Sequence, residues 1–447
     1  MSADNRNIFT RLLKAAATIE ANELKATVVS FLFVFTLMAA YYIMRPVRDA
    51  MASDWSDSEI SFLWTLNFFI SLGLVALYGY AISRVRFKHL VPGVYCFFAA
   101  SFILFYACTL LTADRILIDK SFYVWVSVFA LFHTTVFWSY MADTFNKDQA
   151  KRLFATIAAG MFAGAQMGPL IPALFAGVLG SDALTLIAAV MLVIPIPMIL
   201  YLARLKVTEL HNENVHADLS AARIGGNPLA GFKHFFADPY LLAIGVFILL
   251  YTMISTFIYF EQAHVLEPYD RDTRTRILAS ISLLGNTLQY VVAFFITGRF
   301  VRKFGMGLTL ASMPVLMIAG MTILAFTPII TVLLALQLVR QAGNYAITQP
   351  ARHMLFTEVD KETRFKTKPV IDVVVYRGGD TITAWFFTGL TEGLGLAFTV
   401  VGLIGAGIAA LWAVTGLYLG RVYEKRKPLT AGGPETFTGA IANKKTA

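Results

Sequence analysis

Charged and aromatic side chains cluster at the end of the first long apolar segment of the chain. This stretch reads Tyr41-Tyr42-Ile-Met-Arg45-Pro-Val-Arg48-Asp49. Four of its residues fall at positions i, i+4, i+7 and i+8 and so share one helical face: Tyr41, Arg45, Arg48 and Asp49. A guanidinium group stays charged and binds a carboxylate or phosphate through two hydrogen bonds. We expect this face to bind an anionic group, with Asp49 in coupling or gating; the alternative is that the arginines snorkel outward as membrane anchors.

A second charged cluster interrupts an apolar segment late in the chain. It reads Ile371-Asp-Val-Val-Val-Tyr-Arg-Gly-Gly-Asp380, and its spacing puts Asp372 and Asp380 on one helical face. An ionised side chain at the centre of a membrane span costs roughly 2.5 to 3.5 kcal/mol, so such residues normally face a cavity or a partner. Two hypotheses stay open. Arg377 either contributes to solute binding or bridges one of the acids, and either acid could carry a coupled proton.

Further polar residues lie inside or at the ends of apolar segments. Arg340 and Asn344, one helical turn apart, are predicted to bind the solute, or else to hold helices together. Glu261 ends another segment, at the position that an internal repeat of about 215 residues equates with Arg45 to Asp49. Opposite charges at those two places predict a gate, and a solvated carboxylate at the rim is the alternative. His133 is predicted to be a hydrogen-bonded core residue.

The patterns of enzymes and metal centres are missing from the sequence. Cys96 and Cys108 are twelve residues apart in one predicted helix, about 18 Å at a rise of 1.5 Å per residue, so they cannot form a disulfide. No metal-ligand spacing, phosphate-binding loop or nucleophile–base arrangement stands out. The sequence therefore predicts no catalytic residue, no metal and no cofactor. Gly160, Gly164 and Gly168 are spaced for close helix packing, with a gating hinge as the alternative.

Long apolar segments must position these residues. Hydrophobic residues make up 57% of the 447 residues and charged residues 15%, against roughly half and a quarter in soluble proteins. About 20 apolar residues cross a bilayer, and this template fits twelve times. The predicted spans are 26–44, 60–82, 89–111, 121–142, 154–178, 183–203, 240–260, 277–298, 306–326, 328–348, 369–390 and 396–420. The fold class is therefore an all-α polytopic membrane protein.

The placement of the basic residues sets the orientation. With the amino terminus inside, the inner segments hold 28 Lys and Arg and the outer segments hold seven. By the positive-inside rule, both termini are then cytoplasmic. This distribution accounts for the net charge of +9, so we expect no nucleic-acid partner.

The spans divide into two related halves. The basic loop at 83–89 recurs at 298–304, and the loop at 146–152 recurs at 360–366. Such self-similarity is typical of transporters built from repeats. The predicted divisions are an amphipathic cytoplasmic segment at 1–25, a six-helix half at 26–203, a cytoplasmic linker at 204–239, a second half at 240–420 and a tail at 421–447.

Three stretches resemble the nucleotide translocases of plastids and intracellular bacteria and their bacterial relatives, usually grouped with the major facilitator superfamily. They are Tyr42-Ile-Met-Arg45-Pro-Val-Arg48-Asp49, Phe137-Trp138 through Asp148-Gln-Ala-Lys151-Arg152-Leu-Phe154, and Lys366-Thr-Lys368 through Ile371-Asp372-Val-Val with Arg377 and Gly379. The family typically has a lysine at the position of Asp380, so this chain reverses the charge there. The resemblance implies a major-facilitator-like bundle that moves a polar, anionic solute through a site where spans one, four, seven and ten converge.

These observations favour a secondary transporter, working by alternating access on a small anionic solute. It is expected to be a monomer in a bacterial inner membrane, with protons as a second partner if transport is driven. A proton-driven importer or exporter of a siderophore or drug is the main alternative. A polytopic membrane enzyme is disfavoured because catalytic constellations are missing.

Overall fold

The computed structural model describes residues 19–84, 87–112, 114–212, 230–295, 297–359, 363, 367 and 370–426. Of the predicted terminal and linker segments, 1–18, 213–229 and 427–447 lie outside these residues. The first half contains α1 (Leu24–Met51), α2 (Asp57–Arg84), α3 (Phe87–Leu111), α4 (Ile116–Thr144), α5 (Lys147–Met167), α6 (Leu170–Leu179), α7 (Ser181–Met191) and α8 (Pro195–Thr208). The second half contains α9 (Ala230–Ala237), α10 (Pro239–Leu266), α11 (Arg271–Phe295), α12 (Thr297–Phe326), α13 (Ile330–Gly343), α14 (Gln349–Leu355), α15 (Tyr376–Thr388) and α16 (Phe398–Arg426).

Short 3₁₀ and π turns connect some of these helices. The 3₁₀ turns are Ala52–Asp54 and Phe356–Glu358. The π turns are Asn344–Thr348, Val370–Val375 and Gly389–Gly393. A π turn is rare and is frequently found at functional sites. The first two π turns adjoin the polar clusters around Arg340 and Arg377.

Local sequence explains where several helices begin. The Asn146 side chain accepts hydrogen bonds from the backbone N–H groups of Asp148 and Gln149, and the Gln149 side chain accepts one from the Asn146 N–H. This capping box starts α5. Asp238 caps α10 by accepting from the Tyr240 N–H at 2.9 Å, with Pro239 at the first helical position.

Two predicted spans are not continuous helices. The span predicted at 154–178 is divided between α5 and α6 at Gly168-Pro169, and the one predicted at 183–203 is divided between α7 and α8 before Pro195. Proline has no backbone N–H and clashes with the preceding turn, so each helix is interrupted at that residue.

The apolar residues are distributed as a bilayer requires. Large hydrophobic side chains cover the outer surface, among them Phe69 (62% exposed), Leu104 (63%) and Val178 (82%). Among the described residues, nine helices or helix pairs are long and apolar enough to cross a membrane by length and composition. The predicted spans missing from those nine are α11 and the segments around α13 and α15, which carry many of the polar side chains discussed below. The all-α polytopic fold is thus confirmed.

Close packing of α5 on α1 holds the first half together. A Cβ atom on Gly160 or Gly168 would lie 2.5 or 2.7 Å from a backbone carbonyl oxygen of α1, and one on Gly164 would meet the Phe35 carbonyl oxygen even more closely. Only glycine permits helices to approach this closely. The packing interpretation of this glycine series is therefore supported by the geometry.

Candidate functional site

A cavity of about 330 Å³ lies at the centre of the bundle, between the two halves. Volumes of roughly 300 to 1,000 Å³ are typical of small-molecule sites, so this cavity suits a small solute. Its polar and aromatic lining comes from seven predicted spans, including spans one, four, seven and ten. The residues are Arg45, Arg48, Asp49, Trp64, Asn67, Phe68, Tyr123, Ser127, Tyr251, Ser255, Thr256, Tyr259, Gln262, Ser282, Gln337, Arg340, Gln341, Asn344, Tyr345, Tyr376, Arg377, Asp380 and Thr381.

On the wall formed by the first half, one carboxylate lies between two arginines of α1. Arg48 donates to Asp49 Oδ1 from Nε at 2.9 Å and from Nη2 at 2.5 Å. A third bond runs from Arg48 Nη1 to the Ser127 hydroxyl at 3.2 Å. Arg45 Nε lies 3.6 Å from Asp49 Oδ2. Asp49 therefore balances one of the two positive charges on this wall.

On the wall formed by the second half, the arginines have different surroundings. Arg340 donates to Gln337 Oε1 at 2.7 and 3.1 Å and to the Ser255 hydroxyl at 2.7 Å. Within the described part of the chain, neither Arg340 nor Arg377 has a carboxylate within 4.0 Å. Asp380 lines the same wall, outside ion-pair distance of both.

The cavity is electropositive. Its lining includes four arginines and two aspartates. Two guanidinium groups, those of Arg340 and Arg377, have no carboxylate neighbour at ion-pair distance among the described residues. Both side chains are partly buried, so an anion that entered the cavity would find cationic groups available to bind it.

A chain of aromatic hydroxyl groups crosses from one half to the other beside the arginines. Trp64 Nε1 donates to the Tyr123 hydroxyl at 2.7 Å, and the Tyr123 and Tyr259 hydroxyls share a hydrogen bond of 2.7 Å. The Tyr259 hydroxyl also lies 3.5 Å from Asp49 Oδ1. The carboxylate that neutralises Arg48 is therefore linked to the opposite half.

We use the term distal face for the end of the bundle where α1 ends and α2 begins, and proximal face for the opposite end. At the distal face, Arg271 and Arg274 of the second half contact Asp54 of the first half at 2.7 and 2.5 Å. Arg271 also lies 2.8 Å from Asp119. These contacts close the distal side of the cavity.

At the proximal face, two ion pairs brace the separate halves. Arg152 pairs with Glu23 at 2.7 Å inside the first half, and Arg426 with Asp238 at 3.3 Å inside the second. Each of these two ion pairs joins residues of the same half. The structure is therefore a state in which the halves are fastened at the distal face.

Sequence comparison agrees with this architecture. Residues 27–364 match the family model of the Major Facilitator Superfamily. The chain belongs to the major facilitator superfamily. No curated protein sequence matches it.

Solved structures of superfamily transporters share the fold at low sequence identity. The nucleoside transporter NupG is 14% identical with a TM-score of 0.60, and the match covers 90% of this chain and 99% of NupG. A bacterial homologue of the iron transporter ferroportin is 13% identical with a TM-score of 0.62, covering 89% and 99%. The xylose transporter XylE from E. coli is 15% identical with a TM-score of 0.55, covering 92% and 97%. The protein is thus a multi-pass membrane transporter, and these neighbours move different solutes.

The superfamily fold brings most of the predicted site residues into one cavity. Arg45, Arg48, Asp49, Arg340, Asn344, Arg377 and Asp380 all line it. Tyr41 does not belong to this lining, because its ring stacks on that of His133 with centroids 4.6 Å apart. His133 itself is buried at 4% exposure and lies 3.2 Å from the Phe129 carbonyl oxygen.

Two predicted coupling residues, Glu261 and Asp372, are not placed in the cavity lining. Glu261 lies outside the cavity lining, buried at 1% exposure. The expected gate between Glu261 and the arginines of α1 is therefore not formed in this state. The side chain of Asp372 lies outside the described residues.

The sequence interpretation missed much of the cavity wall supplied by α10. Tyr251, Ser255, Tyr259 and Gln262 all line the cavity. They follow one another at steps of four, four and three residues, which places them on one helical face. This polar stripe along an otherwise apolar span is the signal that would have revealed them.

Proposed function

We propose that this superfamily member is a secondary transporter that moves a small anionic solute by alternating access. The observation that supports the proposal is the pair of cavity arginines, Arg340 and Arg377, without a carboxylate at ion-pair distance in the described chain. An anion in the cavity would receive charge-assisted hydrogen bonds from these groups. Arg45 and Arg48 would bind it from the opposite wall, with Asn344 as a neutral hydrogen-bonding partner.

Aromatic side chains favour a solute that carries a ring as well as an anionic group. Trp64, Tyr123, Tyr259 and Tyr376 line the cavity together with the arginines, and flat aromatic surfaces stack on planar rings. A nucleotide-like anion fits this combination, in keeping with the resemblance of the sequence to nucleotide translocases. Asp380 stands where that family typically has a lysine, so we place no adenine nucleotide in the site.

Coupling to protons is the second part of the proposal. Asp380 lines the cavity without an ion-pair partner among the described residues. An acid in that position is available to take up a proton when the solute enters or leaves. Asp372 is the other acid proposed for this role from the sequence.

The distribution of basic residues supports a bacterial inner-membrane protein with both termini in the cytoplasm. We infer from this orientation that the distal face is periplasmic, and closure of that face supports an inward-facing state. We propose that the protein works as a monomer, since each chain encloses its own cavity.

A ligand screen followed by transport tests the proposal. Thermal unfolding of the purified protein would be measured with nucleotides, inorganic phosphate, siderophores and amino acids, since a ligand that binds the folded state raises the unfolding temperature. The most stabilising solute would then be used for uptake into proteoliposomes. Stabilisation by a cation or a neutral siderophore, with none by any anion, would contradict the anionic assignment.

Two further measurements separate the mechanisms. Counterflow that persists after an uncoupler collapses the proton gradient indicates exchange, whereas loss of accumulation indicates proton coupling. Arg45→Gln should reduce uptake of the identified solute, and unchanged uptake would show that the site assignment is wrong.

A further inference from the structure

Glu261 is a buried carboxyl group without a hydrogen-bonding partner in the described chain. It is 1% exposed, and among the described residues neither of its oxygens has a hydrogen-bond partner. An ionised carboxylate in such a place is so unfavourable that the group takes up a proton instead. A single buried carboxyl group of this kind binds a proton.

The surroundings of Glu261 connect it to the distal closure. Phe257, Glu261 and His264 follow one another at steps of four and three residues and share a face of α10. The rings of Phe257 and His264 both contact Phe387 of α15, with centroids 5.0 and 6.2 Å apart. Glu261 therefore lies beside α15, one helical turn from His264.

His264 fastens the second half to the first. Its Nε2 lies 2.9 Å from Asp57 Oδ1, and Asp57, at the start of α2, is 4% exposed. The Thr391 hydroxyl donates to the other oxygen of Asp57 at 2.7 Å. One turn along α2, the Ser61 and Thr388 hydroxyls form a hydrogen bond of 2.8 Å. These contacts join α2 to α10 and to the end of α15.

The charged groups around this layer are mostly acidic. Asp57 of α2 interacts electrostatically with both Glu261 and His264. Glu267, just after α10, and Glu392, in the turn after α15, interact electrostatically with His264. Asp54 is engaged by Arg274. An ionised Glu261 would add a further negative charge to a dry, acidic layer.

We propose that Glu261 is a proton-binding site whose protonation accompanies closure of the distal face. In the closed state the contacts of Asp57 with His264 and Thr391 keep water out, and the carboxyl group is protonated. When α2 separates from α10 and α15, water reaches Glu261, which releases its proton. Closure then takes up one proton, so the closed state is favoured as the pH falls. This inference rests on the alternating access proposed above and concerns a site outside the solute cavity.

Thiol labelling of Ser61→Cys tests the inference without any solute. Ser61 is fully buried in the closed state, so a membrane-impermeant maleimide applied at the distal face should react only after the halves separate. Cys96 and Cys108 would first be replaced by alanine. The labelling rate, corrected for the reactivity of the free thiol, should rise with pH, by up to about tenfold per unit for one linked proton.

Variants of the acid identify the titrating group. Glu261→Gln should give slow labelling that does not depend on pH, because the amide mimics the protonated acid. Glu261→Asp keeps a titratable group and should retain the pH dependence, which guards against a variant that fails to fold. Asp114→Asn, at an exposed acid just before α4 at the distal face, is the matched control for the loss of one carboxylate and should behave like the parent.

The outcomes separate this inference from the proposed function. If Glu261→Gln keeps the pH dependence of the parent, or if only His264→Asn removes it, Glu261 is not the linked site. If labelling of the parent Ser61→Cys protein does not depend on pH, the proton site is refuted but alternating access is not. A thiol at position 61 that never reacts at any pH refutes alternating access as well.

Discussion

Replacing Arg340 by glutamine should weaken anion binding without weakening the fold. The guanidinium of Arg340 is held by the neutral groups of Gln337 and Ser255, so its charge is available to a solute. A charge-assisted hydrogen bond contributes roughly 1.5 to 3 kcal/mol. Since 1.4 kcal/mol corresponds to a factor of ten, Kd should rise by about 10- to 150-fold.

Arg48→Gln, at another arginine of the cavity lining, should in addition weaken the fold. Arg48 pairs with Asp49 at 2.5 Å, and the two side chains are 14% and 11% exposed. Removing one member of a buried pair costs about 3 to 5 kcal/mol. The lower part of that range applies here, because Arg45 remains 3.6 Å from the carboxylate. A clear fall in Tm is expected, and a second substitution, Asp49→Asn, should recover most of it.

The assay combines calorimetric titration with thermal unfolding of the purified protein in detergent. The titrant is the anion that stabilises the parent most strongly in the ligand screen. Arg421→Gln, an exposed arginine at the end of α16, controls for the loss of one positive charge and should leave both Kd and Tm unchanged. If Arg340→Gln binds the anion within twofold of the parent, the unpaired-arginine reasoning is refuted.

Three further outcomes follow from the geometry. Gly164→Ala would press a Cβ atom into the Phe35 carbonyl oxygen and should lower the free energy of unfolding by about 1 to 3 kcal/mol; Gly407→Ala, with no atom within 4 Å, should not, and equal stabilities would contradict the packing argument. Arg274→Gln removes a contact that closes the distal face, so distal thiol labelling should become several-fold faster than in the parent; an unchanged rate would show that this contact is dispensable. Asp270 caps the start of α11, and hydrogen bonds from Thr273 hold the pKa of its carboxyl group below the usual value. The ionised carboxylate therefore stabilises the folded protein at neutral pH. This stabilisation is lost as the pH falls through the lowered pKa. The Tm deficit of Asp270→Ala should accordingly shrink in acid, and a deficit that persists unchanged would argue against a charged cap.

The sequence predicted the fold well because a bilayer imposes strong rules on it. Helix length, apolar composition and the need to satisfy every backbone group leave few arrangements for such a chain. The same rules made charged residues inside spans informative. Arg45, Arg340 and Asp380 are far apart in sequence. Each was expected to face a shared cavity, because a charged side chain that faces hydrocarbon is unfavourable. The structure places all three in the cavity lining.

What the sequence could not give was the direction in which a side chain points within a polar neighbourhood. Tyr41 shares a helical face with Arg45 yet stacks on His133, because a tyrosine can bury its ring where an arginine cannot. The repeat offset equated Glu261 with the arginines of α1, but Glu261 lies buried outside the cavity lining, on the side of α10 that packs on α15. Tyr259 was not predicted as a site residue, because a tyrosine in an apolar span is equally typical of the hydrophobic core. Only its hydroxyl partner, Tyr123, distinguishes the two.

The π turns of the described chain all lie in the second half, two of them next to Arg340 and Arg377. In the first half, Arg45 and Arg48 lie on α1, whose backbone is in close contact with the glycines of α5 and its C-cap. One wall of the solute chamber is thus stiff, and the other contains widened turns that can adjust. In a chamber built this way, substitutions that broaden or narrow the range of accepted solutes should fall mainly on the adjustable wall, while the stiff wall sets the position of the anionic group.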